Sequence, residues 1–219
     1  MESYRTDYPN QVHLLAVSVS KHWWISKDGS LKYQKKPFDV SLKSVASSSK
    51  THVLFFGLRD HCSGLLYCET ASSDDVTTLA EFLFRAWSPK LDLSFRGMPE
   101  SLGIPKTVEA AFPEIKAVIE PLGVSFCYVT SGFQGGAGMT KPAEQWITWE
   151  LDKPFSYAVA RVKQLPAVLA KEKGRTGDRT KLEMWESGVP DRLLDGPPED
   201  WLIESRQKTV FAFTDQPQS

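Results

Sequence analysis

The chain has 219 residues and a mass of 24.6 kDa, with 41% hydrophobic and 24% charged residues. That composition excludes a disordered tail or a fibrous repeat, and 26 basic against 27 acidic residues exclude nucleic-acid binding through bulk charge, leaving only local patches. No apolar run reaches the roughly 20 residues that span a bilayer, and Cys62, Cys68 and Cys127 form neither a disulfide framework nor a metal knuckle. The start, Met1-Glu2-Ser3-Tyr4-Arg5, lacks a signal-peptide pattern. A reducing cytoplasm is the expected setting, with no membrane and no small-molecule cofactor.

Along the chain, Val12 to Val19 reads as a strand. Lys21 to Lys36 carries five lysines against one aspartate, interleaved with Trp23, Trp24 and Tyr33. Asp28-Gly29 in its middle is a two-residue hairpin signal, so Trp23-Trp24-Ile25 should pair with Leu31-Lys32-Tyr33. Phe38-Asp39-Val40-Ser41-Leu42 alternates as a strand would, and Val53 to Leu58 is the continuous apolar run of a strand covered on both faces. After the turn Arg59 to Gly64, Leu65 to Cys68 returns, which completes a three-strand meander over about residues 36–70.

The period then changes from two to about 3.6. Ser72 or Ser73 can cap a helix striped by Val76, Leu79, Ala80, Leu83 and Trp87 and closed by Pro89. Leu102-Gly103-Ile104, a helix starting at Pro113, and Val124 to Val129 make a parallel βαβ unit. Four glycines fall in the eight residues 131–138. Thr140 can cap the next helix, and another runs from Phe155 to Gly174. Residues 171–181 are net basic, residues 191–204 net acidic, and Lys208 to Thr214 reads as a last short strand.

Three antiparallel strands, a helix, a strand, a helix, a strand, a glycine loop and further helices resemble the ribonuclease-H-like plan, and more narrowly the catalytic core of retroviral-type integrases and DDE transposases. Four phrases carry the resemblance: Lys36-Pro37-Phe38-Asp39-Val40; Leu58 to Gly64; Phe133-Gln134-Gly135-Gly136 through Lys141-Pro142-Ala143-Glu144; and Lys181 to Trp185 with Gly188 and Pro190. The resemblance implies an α/β fold with a mixed five-stranded sheet flanked by helices, over residues 36–205. An extension at 1–35 would precede this domain and a strand and tail at 206–219 would follow it.

Family chemistry is cleavage and transfer of phosphodiesters by two divalent cations about 4 Å apart, held by three carboxylates. Hard oxygen ligands suit Mg²⁺ or Mn²⁺. The resemblance assigns Asp39 to the first position and Glu144 to the third, as catalytic residues and metal ligands. The second is missing: the spacing places it at Pro105 or Lys106, and neither supplies a carboxylate. Asp92 or Glu109 could substitute only from a shifted strand end.

The expectation is therefore an integrase-core-like protein of mobile-element origin, defective in strand transfer, that retains weak DNA binding or core dimerisation. A homodimer follows from the resemblance alone. A working Mg- or Mn-dependent polynucleotidyl transferase, and a protein-interaction module on the same scaffold, are the two alternatives. Candidate nucleic-acid contacts are Lys21, Trp23, Lys32, Lys35 and Lys36 in the basic hairpin and Lys173, Arg175 and Arg179 further on, since bases stack on aromatic rings and phosphates pair with cations. Read blandly, the same hairpin is a solvated one with its tryptophans packed on the core.

Overall fold

The structure, a computed structural model, describes residues 6–91, 93–129 and 176–213, with backbone alone for 176–179. Strands β1 (Val12–Ile25), β2 (Leu31–Tyr33), β3 (Thr51–Asp60) and β4 (Leu66–Ser72) precede helix α1 (Leu79–Trp87). Then come β5 (Ser101–Ile104), α2 (Lys106–Ala111), α3 (Ile115–Ile119), β6 (Ser125–Tyr128), α4 (Thr176–Gly188) and α5 (Glu199–Ser205). Together they make an α/β molecule built on one mixed, open six-stranded sheet of order β4-β3-β1-β5-β6, with β2 attached to β1. β1 runs antiparallel to β2 and β3, and β3 to β4, while β1–β5 and β5–β6 are parallel.

β1 holds the centre because it is apolar on both faces. Leu15, Val17 and Val19 enter the main core beneath α1 and α3, and the intervening Val12, Leu14 and Ala16 pack on the other face with Leu66 and Val129. Period-two alternation makes those two sets opposite. Between Val19 and Trp24 the pairing with β3 slips. Buried Ser20 compensates there, its hydroxyl accepting from the amides of His22 at 3.3 Å and Trp23 at 3.0 Å. Beyond this bulge β1 continues into the hairpin, with Trp23 opposite Tyr33, Trp24 opposite Lys32 and Ile25 opposite Leu31, as the Asp28-Gly29 turn requires. Gly29 sits at φ 80°, a conformation that costs glycine nothing.

Several expectations need correction. The first antiparallel strand is β1, and the meander is β1-β3-β4. The limit expected at residue 36 thus falls between strands of a single sheet. Residues 38–42 are not a strand. Their alternation is real, since Val40 and Leu42 are buried, but it lays side chains on the core while Ser41–Ser44 and Val45–Ser48 turns bend the backbone away. Helix α1 is capped by Thr78 rather than Ser72 or Ser73: Thr78 Oγ1 accepts from the Glu81 amide and Glu81 reaches back to the Thr78 amide. Such a reciprocal box satisfies two end amides and stabilises by about 1 kcal/mol. The helix expected from Pro113 begins two residues later, as α3, and ends in a 3₁₀ turn at Glu120–Leu122, while Pro113 lies in the turn that separates it from α2, a helix the sequence reading did not name.

Among the described residues no strand forms after Lys208. Residues 206–209 make a 3₁₀ turn, after which Phe211 packs on Phe112 and the Ala212 amide donates to Ala111 O. Phe211 is buried in the main core there, and Phe213 meets it edge-on. The glycine loop at 131–138, the helices expected from Thr140 and Phe155, and Glu144 lie outside the described residues. Among the described residues, no helix is long and apolar enough to cross a membrane.

Candidate functional site

Parallel pairing of β1 with β5 sets Leu14 level with Gly103, so Pro105 falls level with Ala16. Carboxylates of a two-metal centre would have to converge at this end of β5. β1 carries no aspartate or glutamate anywhere in its 14 residues. Pro105 is buried at the start of α2, and exposed Lys106 holds its ammonium 5.7 Å from the Tyr128 ring. Tyr128 donates to Glu109 at 2.7 Å, a bond that raises the phenol pKa.

Asp39 is not brought there. It is exposed in the β2–β3 connection, whose Phe38 amide donates to Lys21 O and whose Val40 O accepts from the Lys21 ammonium. Lys21 lies five residues beyond Ala16, on the order of 15 Å along the strand at about 3.3 Å per residue. Ligands shared by metals about 4 Å apart cannot be separated by that much. Among the described residues no three His, Cys, Asp or Glu side chains cluster as a metal would need. These residues do not fit a two-metal centre.

The basic hairpin is assembled as a surface, though with altered roles. Trp23 is 6% exposed and belongs to the interior, and Lys21 ties down the β2–β3 connection. Lys32, Lys35 and Lys36 are exposed. Tyr33, absent from the expected contacts, is 55% exposed. Its ring lies 5.6 Å from His22, nearly parallel at 24°, and 4.9 Å from Trp23. Behind the hairpin, Lys50 sits 4.3 Å from the Trp24 ring and 4.9 Å from Phe38. Phe38 in turn meets His52 edge-on, and His52 Nδ1 is buried without a partner. Burial, then Lys50, lowers the His52 pKa. Lys173, Arg175 and the side chain of Arg179 lie outside the described residues.

Sequence reading missed a buried polar cluster at the start of β1. Asn10 adopts φ 61°, a left-handed conformation asparagine tolerates. Its amide nitrogen donates to Arg96 O at 2.8 Å and Leu193 O at 2.9 Å. Its carbonyl accepts from Trp185 Nε1 at 3.1 Å and meets His13 Nε2 at 2.9 Å. Trp87 Nε1 donates to His13 Nδ1 at 3.2 Å, which makes Nδ1 the acceptor and assigns the proton to Nε2. Full burial holds His13 neutral, its pKa lowered to about 3. The Asn10 backbone amide donates to Asp60 Oδ1 at 2.8 Å, and Ser63 donates to Oδ2 through its amide at 2.6 Å and its hydroxyl at 2.5 Å. Burial raises the Asp60 carboxyl, against these bonds. Every polar atom of the Asn10 and His13 side chains has a partner, and neither faces solvent. Such a network holds β1, the 93–97 segment and the α4–α5 region together and offers nothing to a substrate.

Beside it, a cleft of about 530 Å³ opens between residues 90–96 and α4, lined by Lys90, Arg96, Trp185 and Glu186 among others. Burial lowers Lys90 to about 8. Its ammonium donates to Ala86 O, Ser88 O and Phe95 O at 2.6–2.8 Å, which uses all three protons to close the end of α1. Ser94 donates to Glu186 at 2.5 Å. With its amine committed, Lys90 has no proton left to offer a ligand in the cleft. Compared with known proteins, the sequence matches no protein-family model and no curated protein.

Proposed function

We propose that this chain is a ribonuclease-H-like core of the integrase type that lacks a phosphotransfer centre and works by binding. The strand order supports the fold reading: three antiparallel strands, β1-β3-β4, are followed by parallel β5 and β6 on the other side of β1. The observation that carries the functional reading is chemical. The β1–β5 edge presents Leu14, Ala16, Pro105 and Lys106 where carboxylates would gather, and Lys106 brings a cation to a place that would need to attract two. Like charges about 4 Å apart repel by about 1 kcal/mol in water and by several times that when partly buried.

Nicking of supercoiled plasmid in Mn²⁺ tests this reading. The expected result is no cleavage above a metal-free control and no heat of Mn²⁺ binding at millimolar metal. Robust nicking abolished by Asp39→Asn would overturn it and favour an active polynucleotidyl transferase. Core dimerisation remains part of the proposal and is read by sedimentation.

A further inference from the structure

We propose that the β1–β2 hairpin is a docking surface for single-stranded nucleic acid, with a base stacking on Tyr33 and phosphates held by Lys35 and Lys36. The inference rests on the binding reading above and gives it a ligand class and a location. Tyr33 is both accessible and held in place. More than half of it is exposed, and its hydroxyl has no hydrogen-bond partner among the described residues. Yet its ring is held by His22 and Trp23, so it is pre-ordered without being covered. A ring already fixed loses little side-chain entropy when a base stacks on it.

Charge fits the same ligand. Within residues 21–36 the single carboxylate, Asp28, is at the turn tip and occupied by the Ser26 hydroxyl and the Ser30 amide at 3.0 Å. Lys35 and Lys36 are exposed and make no ion pair among the described residues. Lys32 projects from the strand face opposite Tyr33, with Trp24, so the cations left to meet a strand stacked on the ring are Lys35 and Lys36. Ile25 and Leu31 are buried, which leaves the hairpin no aliphatic wedge to enter a lipid surface. Duplex bases hide their faces in the stack, whereas a single strand offers them. A single strand is therefore the better match.

Fluorescence anisotropy with a labelled oligothymidylate and the full chain in EDTA tests the proposal independently of any cleavage. Binding is expected, with log K falling against log salt at a slope of about −1.4 for two phosphates. Tyr33→Leu should weaken binding about tenfold and Tyr33→Phe should leave it unchanged. Lys35→Gln with Lys36→Gln should weaken it and remove nearly all of that slope, about 1.4. The double variant alters only exposed side chains, so it decides the matter if Tyr33→Leu does not fold. Absence of binding at low salt, or wild-type affinity and slope in the double variant, overturns the proposal. So does tighter binding to phosphatidylserine vesicles than to the oligonucleotide. Binding together with Mn²⁺-dependent nicking would sink the inactive-core reading and leave this one standing.

Discussion

Two regions of this molecule are built from the same side-chain types and serve opposite ends. At the start of β1, Asn10, His13, Trp87 and Trp185 are buried and bonded to one another until no donor or acceptor is left over. Across the bulge, at the far end of that strand, His22, Trp23 and Tyr33 stack beside lysines that have water on most sides. Residue chemistry alone therefore does not tell scaffold from binding surface. What separates them is whether the polar atoms are already satisfied, because a satisfied group has nothing left with which to hold a ligand.

That contrast can be broken experimentally, beginning where the effect should be largest. Gly97 sits at φ 90°, and a Cβ there would lie 1.9 Å from Leu193 O and 2.9 Å from Asn10 Nδ2. Gly97→Ala should cost about 4 kcal/mol or more, read as a lost or sharply lowered thermal transition. If it melts like the wild type, residues 193–195 do not seat against the cluster.

Acid should act nearly as strongly. The folded-state pKa of His13 is about 3, below the ordinary 6.5, so between those values the folded protein binds fewer protons than the unfolded chain. Stability from keeping the ring neutral is complete above about pH 6.5 and is lost progressively as pH falls to about 3, by about 5 kcal/mol at most. Urea midpoints compared at pH 7 and pH 4 should fall less in His13→Gln than in the wild type. Equal falls would mean that His13 is not buried neutral.

Next is Asn10→Gly, which suits the left-handed backbone but removes the side chain that joins His13, Trp185 and two carbonyls. Orphaned donors should cost about 3 kcal/mol in a denaturant titration; a loss below about 1 kcal/mol would make the network incidental. The smallest effect belongs to the hairpin. Lys35→Gln with Lys36→Gln should change stability by less than about 0.5 kcal/mol while weakening oligonucleotide binding. A large stability loss would place these lysines in the scaffold and close the gap between the two regions.

Local signals were legible wherever the chain closes on itself within a few residues. Asp28-Gly29 specified the hairpin and its register, and short apolar runs marked β1, β3 and β5–β6 with the helical segment between them. Asp60 and Ser63 were legible as a turn, and their side chains do bond across it. Asp39 shows where such reading fails: Phe38, Val40 and Leu42 alternate like a strand, but the Phe38 amide meets β1 only at Lys21 O before the chain turns at Ser41–Ser44, so the segment is a core-covering loop. The Asn10 cluster was illegible for a different reason, since its members are scattered from residue 10 to Trp185 and share no period.

Composition, turn residues and periodicity by themselves determined an α/β chain, the hairpin and the βαβ unit, because these depend on contacts a few residues apart. Tertiary structure alone decided that β1 is the central strand, that Trp23 is interior while Tyr33 faces outward, and that Asp39 stands far from the end of β5. Burial and convergence are set by which distant segments meet. Their energies are summed over the whole folded chain rather than written in any one stretch of it.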